Sequence, residues 1–359
     1  MNRNQTIMAL ALGMMARSLP AQSHPAPVET EVAPGVYLFA TAPYSDVGLD
    51  GNSVVILSDD GVLVFDANGT PAAATAVLAR IRAITSQPIK YLVLSHWHWD
   101  HWYGAEVYRA AFPGLVIISH EKSRELMAGP ALVFNQPGLE VQLPRHIKAV
   151  EDQRAGGRDT AGLEDHLARD RFFLEQKRAT RHTLANLTFT DSLTLHLGTR
   201  VIKVLHHDRA ITPGDAFLYL PAERIVVTGD LLINPVTFAL FSYPSGWIRT
   251  LEYIDALDAA LLVPGHGAAM RDEGLLKATL ALLRREVVLG RAAKAGGASV
   301  EQAKAAILAD STVLALRERI TGGEASRNGP FALYLVEWFV RRLYQELDGP
   351  LDDRIPGAP

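Results

Sequence analysis

The chain has 359 residues, 48% of them hydrophobic, so it can bury one large core with an appendage or form two domains. Its formal net charge of −4 and its pI near 6.3 argue against a nucleic-acid partner, because such proteins present a basic face. The absence of cysteine excludes disulfides and thiolate metal ligands.

The first residues have the pattern of a secretory signal peptide. A weakly positive start at Arg3 precedes a short apolar run over residues 6–15, and Ala21-Gln22-Ser23 offers a small-x-small cleavage site. The run is shorter than the roughly 20 residues that a transmembrane helix needs, so we expect no stable membrane insertion. We predict that residues 1–23 are a signal peptide and that the protein is periplasmic or secreted. The alternative is a disordered N-terminus on a cytoplasmic protein.

Short apolar segments separated by turn residues open the main domain, which we place at residues 30–268. They predict strands at 35–40, 52–57, 62–65 and 89–94. Apolar residues at helical spacing predict an amphipathic helix over 70–85. Asp66 follows the third strand, where a carboxylate either caps a helix or orients a ligand histidine.

The strand at 89–94 leads into a histidine-rich run, Ser95-His96-Trp97-His98-Trp99-Asp100-His101. At a strand end, His96 and His98 can direct both imidazoles to one point, while Asp100 and His101 can face a second point nearby. Imidazole and carboxylate ligands without cysteine suit Zn²⁺, with Fe or Mn as weaker fits. Four ligand-type residues among six positions favour a metal site over a turn that is His-rich by chance.

A looser pattern follows a predicted helix over 101–112 and a strand over 115–119. Several prolines and Gly156-Gly157 interrupt residues 120–184, so we interpret this stretch as a helical insertion over or beside the site. Its histidines fit surface or capping positions better than ligand positions; they are His120, His146, His166 and His182.

A second series of strands is predicted at 193–197, 201–205, 216–220, 225–227 and 261–263. Asp230 and His266 each follow a strand end, and neighbouring glycines let the backbone turn tightly there, so both are ligand candidates. A helix is predicted over 247–257. Tyr243 and Trp247 are candidates for the pocket lining.

Residues 269–359 are predicted to form a helical C-terminal cap, with helices over 273–294, 299–309 and 331–347. An apolar stripe in the last helix predicts either internal packing or a homo-oligomer interface; it contains Val336, Phe339, Val340 and Leu343. The similar strand–helix rhythm of residues 36–119 and 187–266 favours an α/β (α+β) fold, a four-layer αββα sandwich with a C-terminal helical extension.

Over roughly residues 35–267, these features resemble the metallo-β-lactamase superfamily of hydrolases. The resemblance rests on the His-x-His-x-Asp-His run, Asp66, Thr212-Pro213-Gly214-Asp215, Gly229-Asp230 and Gly265-His266-Gly267. It implies a first metal bound by His96 and His98. It implies a second metal bound by Asp100, His101 and His266. Asp230 would bridge the two metals.

One ligand of that pattern is missing, because the family's remaining first-site histidine aligns with Ile211. Two outcomes follow. Either His206 or His207 completes the first site, or that site is weak or empty. The expected cofactor is therefore Zn²⁺, one or two ions per chain.

The resemblance implies metal-assisted hydrolysis of a small molecule by a zinc-bound hydroxide. The attacked group would be a lactam, lactone, thioester or related ester, or a phosphoryl or sulfuryl centre. Asp100 would orient the nucleophile, and Asp66 would hold a ligand histidine in its tautomer. The alternatives are an iron-dependent sulfur oxidoreductase and a non-catalytic binding protein with a degenerate first site, since one fold hosts many chemistries.

Overall fold

The computed structural model describes residues 26–41, 50–157 and 160–355. The signal peptide predicted at residues 1–23 lies outside these ranges and stays a prediction. Within them, every helix is too short or too polar to cross a bilayer.

The first sheet has seven strands in sequence order. They are β1 (Val28–Ala33), β2 (Val36–Ala40), β3 (Ser53–Ser58), β4 (Gly61–Phe65), β5 (Ile89–Val93), β6 (Val116–His120) and β7 (Leu187–Phe189). Pairing is antiparallel from β1 to β4 and parallel from β4 to β7. The sheet therefore changes from a meander to crossover connections at β4, and β4 and β5 end at the same edge.

Three helices connect the strands of this sheet. They are α1 (Pro71–Ile84), α2 (Trp99–Trp102) and α3 (Ala105–Ala111). Thr70 caps α1 by accepting a hydrogen bond from Ala73 N, and Pro71 occupies the first helical position, where its missing N–H has no consequence. The apolar face of α1, predicted from its spacing, is buried against the outer face of the sheet.

The insertion between β6 and β7 is helical, as the sequence predicted. Its elements are α4 (Glu121–Met127), α5 (Pro130–Pro137), a π-helical turn (Gly138–Gln142), α6 (Leu143–Ala155) and α7 (Thr160–Ala179). Helices α6 and α7 pack through an apolar seam that includes Leu143, Ile147, Val150, Leu167 and Phe173. His120 caps α4 by accepting from Lys122 N, the capping role that the sequence favoured.

The second sheet has five strands in the order β12-β11-β10-β9-β8. Its strands are β8 (Ser192–Leu197), β9 (Arg200–Leu205), β10 (Phe217–Leu220), β11 (Ile225–Gly229) and β12 (Leu261–Pro264). Only β11 and β12 pair in parallel, and α8 (Pro244–Asp255) connects them. The carboxyl ends of these two strands therefore lie side by side.

The C-terminal region packs on the outer face of the second sheet. Its helices are α9 (Gly274–Ala295), α10 (Val300–Ala309), α11 (Ser311–Thr321), α12 (Asn328–Pro330), a π-helical segment (Phe331–Glu337) and α13 (Trp338–Asp348). All four residues of the predicted apolar stripe are fully buried, three of them in the core under the second sheet, so the stripe serves packing within the chain. A homo-oligomer remains a prediction.

One buried core fills the space between the sheets, where Leu63, Phe65 and Val93 of the first meet Val204 and Val227 of the second. Two more cores lie on the outer faces, one under α1 and α3 and one under α8 and the C-terminal helices. This arrangement is the predicted four-layer αββα sandwich, which is confirmed together with its helical extension.

Candidate metal centre

The predicted ligands lie where two parallel strand pairs end. Asp66 follows β4 and His96 follows β5, whereas Asp230 and His266 follow β11 and β12. Because each pair ends at one edge, its loop tips lie together. Backbone hydrogen bonds between the two sheets hold these edges against each other, since Asn52 N donates to the carbonyl of Gly265.

Tight backbone geometry brings the loop tips within reach of each other. Asp66 adopts a left-handed φ of 64°, which aspartate tolerates better than most residues, and Gly229 has a φ of 53°. At Gly265, a Cβ atom would overlap Oδ1 of Asp230. Only glycine lets the two tips approach this closely, which explains the glycines beside both predicted ligands.

The donor atoms form two buried groups, each with all its atoms within 4.8 Å of one another. The first, here named the His96 group, contains His96, His98 and Asp230. The second, here named the Asp100 group, contains Asp100, His101 and His266. The structure thus brings together the six residues that the sequence proposed as ligands.

Asp230 lies between the two groups and faces both. Its Oδ1 lies 3.3 Å from Nε2 of His101 and 3.5 Å from Nε2 of His266, while its Oδ2 lies 3.7 Å from Nε2 of His96. Oδ2 of Asp100 lies 3.3 Å from Nε2 of His101 and 3.1 Å from Nε2 of His266. Tetrahedral coordination at zinc, with bonds of ~2.0–2.1 Å, separates neighbouring donors by about 3.3–3.4 Å. The spacing at the Asp100 group therefore fits a shared cation.

Asp66 orients histidines of both groups. Its carboxylate accepts from Nδ1 of His101 at 2.8 Å, and from the Ser95 N–H and hydroxyl at 2.7 Å each. Because the hydroxyl proton of Ser95 goes to Asp66, Oγ is left to accept from Nδ1 of His96 at 2.9 Å. Both rings are therefore held through Nδ1, and Nε2 of each faces the cluster. The role predicted for Asp66 thus has a geometric basis, and Ser95 extends it.

Opposite charges dominate the Asp100 group. Burial alone lowers the pKa of His101, but the carboxylates of Asp230, Asp100 and Asp66 outweigh it and raise that pKa well above its usual value. For His266, burial again opposes the nearby carboxylates, with Asp230 first, and the pKa rises to about 9. Burial raises the pKa of Asp100 and Asp230, yet His101 and His266 hold both well below their usual range. The pocket therefore stabilises positive charge at its centre.

The His96 group is less polar. Burial, reinforced by His101 and His98, holds the pKa of His96 well below its usual value, and burial lowers the pKa of His98 to about 4. Nε2 of His96 and Nδ1 of His98 lie 2.8 Å apart, so they share one proton or one cation. Both rings are neutral at physiological pH, which is the form that binds a metal.

Several buried atoms of the cluster lack a regular hydrogen bond within the described part of the chain. They are Nε2 of His98, Nε2 of His101 and Oδ1 of Asp230. Buried polar atoms without partners are costly, and two of these face the common centre of the donors. Their chemistry, imidazole plus carboxylate, fits a divalent cation.

The structure places His206 and His207 outside both donor groups. Nδ1 of His206 lies 2.8 Å from the carbonyl oxygen of Asp215, and its ring packs on His120. The ring of His207 stacks on Tyr253 instead. The completion of the first site by either histidine is therefore not observed, because both side chains are already held elsewhere.

Ile211 is fully buried in the apolar core under the second sheet. Among the residues described, the His96 group thus has two imidazoles and the shared Asp230. The two groups differ in completeness, and the Asp100 group is the fuller one.

A cavity of about 480 Å³ opens beside the cluster. Its lining combines His98, Asp100, Asp230 and His266 with apolar side chains that include Trp97, Ile233, Val236, Phe238, Phe241 and Tyr334. A second cavity of about 630 Å³ shares the lining residues Trp99, Phe134 and Asn135 with the first. Both tryptophans of the histidine-rich run therefore border space that a ligand could occupy.

Other aromatic residues were placed less well by the sequence. Trp247 is buried in the core and donates to the carbonyl of Leu231, and Tyr243 OH donates to the carbonyl of Asp352. Neither lines the cavity beside the cluster, because both side chains point into packing. Phe238 and Phe241 do line this cavity. They lie in the irregular segment after β11, where no periodic sequence pattern predicts their position.

Comparison with known proteins places this geometry in a family. The family model described as Metallo-beta-lactamase superfamily matches residues 46–266, more than half of the chain. A linear primary-alkylsulfatase from a Pseudomonas species is 23% identical over 244 residues, which cover 64% of this chain and 44% of that protein. The chain thus spans less than half the length of this curated relative.

Solved structures share the fold. A metallo-beta-lactamase from Pontibacter korlensis superposes with a TM-score of 0.52 at 17% identity, covering 72% of this chain and 99% of that one. FIM-1 from Pseudomonas aeruginosa, solved in its mono-zinc form, gives a TM-score of 0.52 at 15% identity over 74% of this chain and 97% of that one. The chain belongs to the metallo-beta-lactamase superfamily.

Proposed function

We propose that this protein is an enzyme, a zinc-dependent hydrolase that cleaves an ester-type bond in a small molecule with an apolar part. One observation carries the proposal: two donor groups that share Asp230 lie at the wall of a largely apolar cavity. The cavity has a polar centre at one end and apolar walls beside it, so it suits a substrate that carries a polar, cleavable group next to an apolar part.

Zinc is the metal that best matches the donors, because imidazole and carboxylate without thiolate suit a borderline cation. One similar solved structure is described as a mono-zinc form, which fits the unequal completeness of the two groups here. A bound zinc ion supplies a water of lowered pKa and polarises the attacked group. We propose that the Asp100 group and Asp230 hold the tighter ion and that the His96 group holds a weaker second ion.

The chain's own residues would position the reactants. Asp100 lies at the cavity wall, where its carboxylate can accept a proton from an incoming water. Asp66 and Ser95 hold Nδ1 of His101 and of His96, so Nε2 of both rings already faces inward before any ion binds. Fully buried Asp66 makes no contact with the cavity and so acts by positioning.

The apolar part of the substrate would lie against Phe238, Phe241 and Tyr334. The similar alkylsulfatase acts, by its name, on linear primary alkyl sulfates, and such a chain would suit these walls. The second cavity, beyond Trp99 and Phe134, offers room for a longer chain. We therefore rank alkyl sulfates and long-chain esters above β-lactams among the candidate substrates.

A substrate panel tests the proposal. Purified holoenzyme is assayed against alkyl sulfates and carboxylic esters of increasing chain length, alongside lactones, thioesters and β-lactams. We expect kcat/KM to rise with chain length in one ester class, because each added methylene buried is worth about 0.8 kcal/mol. The His96→Ala variant and chelated enzyme should lose this activity. His196→Ala, which changes an exposed histidine on β8, should keep it.

Elemental analysis of the same preparations distinguishes a zinc-dependent hydrolase from an iron-dependent sulfur oxidoreductase. Iron in place of zinc, with oxygen uptake on a persulfide and no hydrolysis, would favour the sulfur oxidoreductase alternative. Turnover that survives complete removal of metal would refute the zinc-dependent mechanism.

A further inference from the structure

A third set of metal-type donors lies in the insertion, on the facing helices α6 and α7. His146 belongs to α6, and His166 and Asp170 belong to α7. One donor atom from each lies within 4.8 Å of the others. The sequence favoured surface roles for both histidines, so this convergence is a finding of the structure.

The distances within this set are uniform. Oδ2 of Asp170 lies 3.2 Å from Nε2 of His146 and 3.1 Å from Nε2 of His166. The two Nε2 atoms lie 3.2 Å from each other. Donor atoms around a tetrahedral zinc ion are separated by about 3.3–3.4 Å, so the three atoms already form one face of such a tetrahedron.

Helix geometry explains how the donors meet. His166 and Asp170 are four residues apart on α7, one turn, so they lie on the same face. The apolar seam of Leu143, Ile147 and Leu167 fixes α6 against that face. His146 is therefore presented to the pair by packing that does not involve the donors themselves.

Hydrogen bonding alone explains the set less well. Two protonated imidazoles would place positive nitrogens 3.2 Å apart, which is repulsive. Two neutral imidazoles supply at most two Nε2 protons for the three contacts, so at least one contact has no proton between its two atoms. A cation at the common centre satisfies all three donors together.

Burial leaves a route for an ion to enter. The side chain of Asp170 is fully buried, whereas those of His166 and His146 are 19% and 36% exposed. His146 also lines the 630 Å³ cavity next to the metal centre. One side of the donor set is thus open to water, which could complete the coordination.

We propose that His146, His166 and Asp170 form a further binding site for a divalent cation of the zinc class, separate from the strand-end cluster. The ion would join α6 to α7 and so stabilise the insertion beside the cavity. This inference does not depend on the proposed hydrolytic function, because it concerns binding alone.

The test counts ions in the full-length protein. Wild type, His166→Gln, Asp170→Asn and the control His196→Gln are dialysed against the same series of buffered free Zn²⁺ concentrations, and zinc per chain is measured by elemental analysis. We expect wild type and the control to retain one more ion per chain than His166→Gln and Asp170→Asn. Equal zinc content in all four proteins, over the whole range of free Zn²⁺, would overturn the proposal.

Backbone amide exchange adds a local readout. Zinc should slow exchange in α6 and α7 of wild type and of His196→Gln, and leave exchange in the Asp170→Asn variant unchanged. Should Asp170→Asn fail to fold, His146→Gln decides, because His146 is partly exposed and its replacement leaves no buried gap. Zinc-dependent protection that persists in His146→Gln would overturn the proposal as well.

Discussion

Buried acids have opposite surroundings at the strand-end cluster and in the C-terminal helices. At the cluster, Asp100 and Asp230 face histidines, which hold the pKa of both carboxyls well below their usual range although burial opposes this. Glu286 on α9 is just as deeply buried, yet neither of its carboxyl oxygens has a hydrogen-bond partner among the described residues. Burial raises the pKa of Glu286 well above its usual value.

The comparison teaches that the surroundings, and not the depth, decide whether a buried acid is ionised. Imidazoles at the strand ends compensate the carboxylates and create a place that a cation can share. In the helical cap, Glu286 lies on the buried face of α9 with Leu282, Leu283 and Gly290, so the neutral acid is the form that fits. Buried acids are therefore ionised at the proposed reaction site and neutral where the chain only packs.

Replacing Asp230 should have the largest effect, because it faces both donor groups. We expect Asp230→Asn to reduce metal content and to lower kcat/KM by more than roughly 10–100-fold, the loss typical when a residue that only hydrogen-bonds to a metal ligand is replaced. Steady-state kinetics and elemental analysis measure both. Asp191→Asn, which changes an exposed aspartate, serves as the control. Wild-type activity and metal content in Asp230→Asn would contradict the shared role.

A matched pair of substitutions separates direct from relayed orientation. Asp66→Asn weakens the hydrogen bond to His101 and also disturbs the Ser95 relay to His96, so metal affinity should fall by about 10–100-fold. Ser95→Ala removes only the hydrogen bonds through the Ser95 hydroxyl and should lower metal affinity by a smaller factor. Competition with a chromogenic chelator measures both affinities. An equal loss in the two variants would show that Asp66 acts on the site only through Ser95.

Replacement of the buried Glu286 in the helical cap should be favourable, unlike the substitutions at the cluster, because it should increase stability. An acid whose folded pKa is raised contributes stability below its unfolded pKa, and that contribution is lost as pH rises through the folded value. Wild type should therefore lose up to about 1.4 kcal/mol per pH unit above the unfolded pKa of Glu286, and Glu286→Gln should not. Thermal melts of both proteins from acidic to neutral pH should coincide at the acidic end and diverge as pH rises.

Exposed Glu318 on α11 supplies the control for this measurement. Glu318→Gln should melt close to wild type, because this side chain is exposed and its ion pair with Arg317 lies at the surface. Parallel melting curves for wild type and Glu286→Gln would mean that a partner compensates the buried charge.

Much of the strand-end site was predictable from sequence. The ligands follow short apolar strands directly, and glycines stand beside Asp230 and His266, so local pattern and position agree. Strand β1 was missed because five of its six residues are exposed or partly exposed and only Val32 is buried, which leaves little alternation to detect. The helix predicted over 299–309 matches α10, whereas α11, which begins directly after its cap Asp310, was not predicted.

Other features depend on how separate elements meet. His146 and His166 are 20 residues apart on different helices, and only the packing of α6 on α7 brings them together. The contacts of His206 and His207 likewise depend on tertiary neighbours, Asp215 and Tyr253. The family resemblance implied that a ligand was missing at Ile211, but it could not show where nearby imidazoles would point.

The smallest effect is expected from replacing both of these histidines with alanine. His206 would lose one hydrogen bond, worth about 1 kcal/mol, and His207 its stacking on Tyr253, so a modest fall in melting temperature should result. Zinc content should stay at the wild-type value, because neither ring belongs to a donor group. Loss of one ion per chain from the double variant would instead mean that one imidazole swings into the His96 group when the ion binds. In that case the two groups would have equal numbers of donors in the loaded enzyme, and the tighter affinity proposed for the Asp100 group would have to come from its own carboxylate, Asp100, and from the direct hydrogen bond of Asp66 to His101.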